Sequence, residues 1–342
     1  MTFLPQRVLI AYGFSGATRP LALALGEGLT ASGCTVAYSD SDVSQGKGYR
    51  LLLKTAKSFL KWVGLKAWLS RWSEQQILQQ RSQRLLADCA QFQPELLMVV
   101  RGEPYLASTI QSIRKQTRVA AWWVKNPRWL QQALQSERHQ FDAYFSIHPD
   151  ETGQSHFLAP YTYNEARYEA AKADPIATEI LFLGCWSQRR EQYLEAIADL
   201  PLTLIGPNWK SRLPLGSRLR AHIRAEWVED AEALKHYAGA KLVVNINQWA
   251  PHETEAVNLR AIDVPACGTL LVSDASQQLS RLLSPGQAVL TFATPDELRG
   301  VVLHALQHPE FAREVATCGQ QAVSALPDGA RWARGVLEAI PA

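Results

Sequence analysis

Two carboxylates, Glu255 and Asp263, stand eight positions apart in the stretch Glu255-Ala-Val-Asn-Leu-Arg-Ala-Ile-Asp263-Val-Pro-Ala-Cys-Gly268. On a helix that spacing puts both on one face, two turns from each other. A carboxylate so placed can accept hydrogen bonds from ribose hydroxyls, and the helix N-terminus can meet a phosphate or other anion. Each also has a plainer reading. Asp263 can be an exposed helix carboxylate, and Glu255 sits near a helix start, where the dipole favours an acid whatever its function. Arg260 lies at i+5 from Glu255 and i−3 from Asp263. Its guanidinium can pair with Asp263, a contact worth little if exposed. It can instead grip a diphosphate with a bidentate fork.

The flanking segments must position these groups. Lys241-Leu-Val-Val-Asn-Ile-Asn247 is predicted as a buried strand, Pro265–Gly268 as a helix end and Thr269–Ser273 as the next strand. A carboxylate-bearing helix between two strands of an α/β chain is a natural nucleotide site. Arg189 and Arg190 follow the predicted strand Ile180–Leu183 and its loop, and are second candidates for a phosphate cation. Asn247 ends a strand, where Asn is either a turn former or an amide for sugar hydroxyls. Gly13 and Gly16 follow the strand Arg7–Tyr12 and let the backbone approach a ligand. The full dinucleotide fingerprint is absent. No Asp-x-Asp pair suits a diphosphate-bound ion. The five cysteines, at 34, 89, 185, 267 and 318, have no metal-ligand spacing, so no metal or other cofactor is expected. His148, His222 and His252 fall in loops, and no Ser-His-Asp or Cys-His set is visible.

With 342 residues, 20% charged and 47% hydrophobic, the chain suits two soluble globular domains. A net charge of +3 does not point to nucleic acid. Met1–Arg7 lacks a signal-peptide pattern and no apolar run is long enough to span a membrane, so a cytoplasmic protein is expected. Strands at Arg7–Tyr12, Thr35–Tyr38, Leu96–Val100, Val119–Val124 and Ala143–Ile147 alternate with helices, which predicts a parallel sheet. Pro160–Ala177 lacks apolar periodicity and is expected to be a linker. A second α/β series follows it, and Arg331–Ile340 is predicted as a helix. Lys47–Trp72 carries seven basic residues at helical spacing among apolar ones, with no acid. It is either a domain helix with a solvated basic face or a surface for an anionic partner or membrane headgroups.

Asn258-Leu-Arg260, Asp263-Val-Pro-Ala-Cys-Gly268 and Ser273-Asp274 resemble the C-terminal motif of the CgeB-like, spore-maturation-protein-like glycosyltransferases. These belong to the GT-B enzymes with a Glu-seven-residues-Glu motif. Glu255 matches the first acid, and Asp263 stands where the wider group usually has Glu. Pro94–Gly102, Ala120–Pro127, Phe141–Ser146 and Phe182-Leu-Gly184 follow in the family's order, so the resemblance covers about residues 90 to 325. It implies two Rossmann-like domains facing a central cleft, with a C-terminal helix crossing back to the first. The expected boundaries are 1–165 for the acceptor side, 178–325 for the nucleotide-sugar side and 326–342 for the crossing helix.

The resemblance further implies sugar transfer from a nucleotide-sugar to an unidentified glycan, lipid, protein or modified nucleic acid, with retention. It places Asp263, Asn258, Arg189, Asn208, Trp209, Trp227, Val228 and Asn247 on the donor, with Arg260 and Glu255 at the reacting bond. In related folds the backbone at Trp227-Val228 meets the nucleobase. At Lys125-Asn126 the family commonly has acids, so the match breaks there. That departure keeps open a protein of the same fold that binds nucleotide-diphosphate without transfer.

Overall fold

The computed structural model describes residues 4–12, 19–40, 66–101, 105–125, 127–150, 152–159, 162–247 and 257–341. The chain forms two compact units, Met1–Pro160 with Gly329–Ala342, and Tyr161–Asp328.

In the first unit the strands are β1 (Arg7–Tyr12), β2 (Thr35–Asp40), β3 (Leu96–Arg101), β4 (Arg118–Trp123), β5 (Ala143–Ser146) and β6 (His156–Phe157). They pair in the order β2-β1-β3-β4-β5-β6, all parallel. Val8–Tyr12 and Leu96–Val100 are buried throughout, the near-continuous apolar run of a sheet covered on both faces. Its helices are α1 (Arg19–Ala31), α2 (Lys66–Phe92), α3 (Ala107–Arg114), α4 (Leu130–Glu137) and the C-terminal helix Gly329–Glu338. That last helix lies against α1. Ser32 Oγ donates to the Ala330 carbonyl at 2.9 Å, and Trp332 Nε1 donates to the Ala159 carbonyl at 2.9 Å. A Cβ on Gly28 would stand 2.4 Å from the Gly329 carbonyl oxygen, so the close crossing needs a residue without one.

The second unit repeats the plan. Its strands are β7 (Thr178–Leu183), β8 (Leu202–Ile205), β9 (Ile223–Ala225), β10 (Ala240–Asn245), β11 (Leu270–Asp274) and β12 (Leu290–Phe292), in the parallel order β12-β11-β10-β7-β8-β9. Side chains alternate across the sheet. Ile180, Phe182, Leu242 and Val244 join one buried cluster, and Leu181, Val243 and Leu271 join the other. The helices are α5 (Glu165–Lys172), α6 (Gln188–Glu195), α7 (Trp209–Arg212), α8 (Asp230–Gly239), α9 (Arg260–Ala266), α10 (Gln277–Leu282), α11 (Pro295–Gln307) and α12 (Pro309–Ser324). The strand order reverses between β7 and β10. In this architecture ligands bind outside the carboxyl ends of the strands at such a switch point.

Three expectations change. The stretch expected as a linker contains α5, capped by Asn164, with Tyr168 and Ala171 buried. Eight residues with two buried positions are too few to show a helical period. The basic segment expected to close at Trp72 continues as helix from Lys66 to Phe92, because no Gly or Pro interrupts the run there. Residues 47–65 of the basic segment lie outside the described residues. Finally, of the expected motif helix the described residues show only α9, which begins at Arg260. Val257 and Asn258 are not helical. The expected helix end does occur, at Gly268 with φ of +77°. Among the described residues no helix is long and apolar enough to cross a membrane.

Candidate functional site

The carboxyl ends of β7, β10 and β11 carry a cluster of arginines and amides. Ser187 caps α6, its side chain accepting from the Arg190 N–H. That cap sets the first turn of α6 beside the switch point. Arg190 is 4% exposed. Its Nε donates to the Ile246 carbonyl at 3.0 Å and its Nη1 to the Cys185 carbonyl at 2.8 Å. One guanidinium therefore ties the loop after β7 to the loop after β10. Burial and the neighbouring Arg260 charge push its pKa down to about 10, so it keeps its charge at neutral pH.

Arg189 Nη2 donates to Asp274 Oδ2 at 3.0 Å, while its Nε is buried without a partner. Asp274 is 3% exposed and also accepts the Asn247 N–H at 3.1 Å. Burial raises its pKa, against the lowering effect of the Asn247 N–H and Arg189. Arg260 starts α9, and its Nη1 donates to the Leu183 carbonyl at the end of β7. Gly184 leaves it room: a Cβ there would lie 2.9 Å from that nitrogen. Arg260 thus points to the strand end rather than to Asp263, which corrects the helix-surface pair as a reading.

Three guanidinium groups and one paired carboxylate make this edge cationic among the described residues. Unpaired charge in a partly buried place is costly. An anion with several oxygens, such as a diphosphate, would offset that cost. Amides lie beside the arginines. Asn258 Nδ2 donates to Asn245 Oδ1 at 2.9 Å and to Asn247 Oδ1 at 2.8 Å, and Asn245 Nδ2 donates to Ser273 Oγ at 2.9 Å.

Asp263 is in the first turn of α9, 7% exposed. Its Oδ1 accepts the Tyr168 hydroxyl at 2.9 Å and lies 3.8 Å from Arg167 Nη1. Arg167 also reaches Asp230 at 2.7 Å. Burial raises the Asp263 pKa to about 6, although Arg167 and the Tyr168 hydroxyl oppose the rise. The sign follows from linkage. A carboxyl with a raised folded pKa stabilises the fold below its unfolded value of about 3.9, and that contribution is lost as pH rises through about 6. Asp263→Asn removes this loss and can still accept from Tyr168. Its thermal midpoint should therefore gain on the wild type between pH 4 and pH 7. A midpoint difference that does not vary across that range would contradict the burial of an ionising Asp263.

The other expected residues separate. Asn208 is exposed at φ of +72°, a backbone region Asn tolerates better than most residues. Trp209 is fully buried, edge-on to Phe182, with its Nε1 spent on the Gly184 carbonyl at 2.8 Å. Its ring is core, which corrects it as a ligand contact. Trp227 is 58% exposed, and Val228 packs partly against the second unit's core. Glu255, Gly13 and Gly16 lie outside the described residues. His148 is buried against the Lys125 carbonyl at 2.7 Å.

Sequence reasoning left out Arg167 and Tyr168 as site residues. A signal for both was Asn164 three residues before Arg167, an N-cap spacing. Asn245 was read from the sequence with Asn247 as a strand-end amide that could meet sugar hydroxyls.

Two α/β units, each on a six-stranded parallel sheet, define the fold of the GT-B glycosyltransferases. Sucrose-phosphate synthase (tll1590) from Thermosynechococcus elongatus shares it, with TM-score 0.64, 18% identity and 97% of each chain covered. So does Anabaena Alr3699/HepE, solved in complex with UDP-glucose, with TM-score 0.64, 10% identity, and 97% and 98% covered. A glycosyltransferase from Rickettsia africae ESF-5 aligns with TM-score 0.63 and 11% identity over 97% of each chain. Residues 189–338 match a family model described as glycosyl transferase-like. The solved structures share the fold, and the glycosyl transferase-like model falls on the second unit and the C-terminal helix. No curated protein matches the chain.

Proposed function

We propose that this chain is a CgeB-like glycosyltransferase. It binds a nucleotide-sugar at the switch point of its second unit and transfers the sugar to an acceptor. The observation that carries this reading is the convergence of Arg189, Arg190 and Arg260 at the carboxyl ends of β7 and β10. HepE was solved with UDP-glucose, so UDP-glucose is the first donor to try here. In the reaction the sugar C1–O bond to the diphosphate breaks and its electron pair leaves on the β-phosphate. The acceptor oxygen loses its proton and forms the new bond to C1. Negative charge grows on the diphosphate as it departs, so cations placed there stabilise the transition state more than the ground state.

Arg260 and the free donor of Arg189 are suited to that role, with Arg190 holding the two loops in place. The backbone at Trp227-Val228 would border the base. Asp263 would accept a ribose hydroxyl, with Tyr168 giving way or sharing the carboxylate. The reaction is proposed to be retaining, in a cytoplasmic protein that the basic segment 47–71 can bring to a membrane surface or another anionic partner. The acceptor class is open among glycan, lipid, protein and modified nucleic acid.

Protein cations take the place of a metal in this reading. Release of UDP from UDP-sugars should continue in EDTA. Loss of turnover on chelation, restored by magnesium or manganese, would overturn the metal-free part. Tight UDP binding with no turnover on any UDP-sugar or acceptor would favour a binding protein of the same fold.

A further inference from the structure

A chain of side chains in the second unit has a direction that the proposed reaction does not use. Its fixed end is Asp274. The Ser273 hydroxyl lies 3.3 Å from the Asp274 carbonyl and 3.5 Å from its carboxylate, both of which only accept. With its proton on that side, Ser273 Oγ accepts from Asn245 Nδ2. Asn245 then turns its Oδ1 outward, and Asn258 Nδ2 donates to it and to Asn247 Oδ1. Flipping Asn258 alone would set oxygen against two oxygens at those short distances. The network therefore assigns its orientation. What remains is Asn258 Oδ1, buried and without a partner. A buried acceptor left unpaired keeps its full desolvation cost, so the site is poised for a hydrogen-bond donor.

We propose that Asn258 reads the sugar of the nucleotide-sugar, its Oδ1 accepting one hydroxyl of the transferred residue. Asn245 and Ser273 are positioning residues that set this polarity from Asp274. The proposal rests on the donor site described above and specifies its ligand. A diphosphate has no O–H to give at neutral pH, and a ribose is assigned to Asp263 on the far side of Arg260 in sequence. With the base and its N–H placed beside Trp227-Val228, a sugar hydroxyl is the donor of a nucleotide-sugar left to meet the orphan acceptor. A site built to hydrogen-bond a hydroxyl rejects analogues lacking it, because the buried partner is then left unpaired.

The test uses the full chain, with UDP, UDP-glucose and deoxyfluoro analogues of UDP-glucose as probes, followed by calorimetry. Asn258→Leu keeps the shape and removes the acceptor. It should weaken UDP-glucose about tenfold and leave UDP within about twofold. In the wild type, fluorine in place of one hydroxyl should weaken binding by a similar factor, since fluorine cannot donate. In Asn258→Leu that same replacement should change nothing further.

Ser273→Ala frees the amides to turn and should weaken UDP-glucose, not UDP, about threefold or more, on the scale of a modest hydrogen bond. It tests the proposal even if Asn258→Leu fails to fold. Equal UDP-glucose binding by folded Asn258→Leu and wild type overturns the proposal. So does full binding of every fluoro analogue by the wild type. If neither UDP nor UDP-glucose binds the wild type, the donor site itself is wrong and the proposal falls with it. UDP binding that no sugar improves overturns only the proposal.

Discussion

Arg260→Lys should lower the transfer rate constant at least tenfold, and Arg260→Ala about 10²-fold or more, while donor affinity falls by less. The guanidinium reaches the end of β7 through one nitrogen and keeps the rest of its fork for a ligand. A single ammonium on a flexible stem cannot hold the Leu183 carbonyl and grip two phosphate oxygens together. The charge it meets grows as the diphosphate leaves, so the rate suffers more than binding. A purely structural Arg260 would behave differently. Its loss would leave one carbonyl poorly paired, costing about 1 kcal/mol of stability, with turnover intact. Measuring turnover and thermal midpoint for both variants separates these outcomes. Normal turnover with a slightly lower midpoint would remove Arg260 from the chemistry.

Gly206→Ala should destabilise the second unit by more than about 2 kcal/mol. Gly206 has φ of +152°, and a Cβ there would lie 2.0 Å from the Gly184 carbonyl oxygen. Both partners are backbone, so no side chain can swing away. The loop after β7 would have to move, and with it the cradle that seats Arg260. For a unit of this size the midpoint should drop by roughly 2–4 °C per kcal/mol. Gly216→Ala is the control, with ordinary φ and no atom within 4 Å of the added carbon. Equal midpoints for the two variants would show that the close approach of the two loops is not a constraint.

The sheet-forming parts of the chain were legible because the strands are short apolar runs bounded by polar loops. Val8–Tyr12 and Leu242–Asn245 are examples, buried on both faces. Their alternation with helices implied parallel sheets, and both sheets are parallel. Helix α5 was not legible. It is held by a cap and by Tyr168 reaching Asp263, and contacts across 95 positions leave no periodic trace.

The candidate site was legible in its residue types and less so in their partners. Arg189, Asn247, Asn258 and Arg260 do come to the carboxyl ends of the strands around the switch point. Spacing alone left Arg260 two readings, a pair with Asp263 or a diphosphate cation, whereas its longer reach to Leu183 depends on how α9 meets β7. Trp209 shows the converse. A tryptophan after a strand has the composition of a ligand-stacking residue, and its full burial follows from the strand it packs under. The polarity of the Ser273–Asn245–Asn258 chain exists only in three dimensions, since those residues come from two strands and the turn before α9.

The most direct test is a calorimetric titration of UDP into the wild type, Arg189→Ala and Arg260→Ala, with other nucleoside diphosphates as comparison. One saturable site in the wild type is expected, weakened several-fold in each variant and competed by UDP-glucose. Equal binding in all three proteins, or no binding of any nucleoside diphosphate, would contradict a diphosphate site at the end of β7.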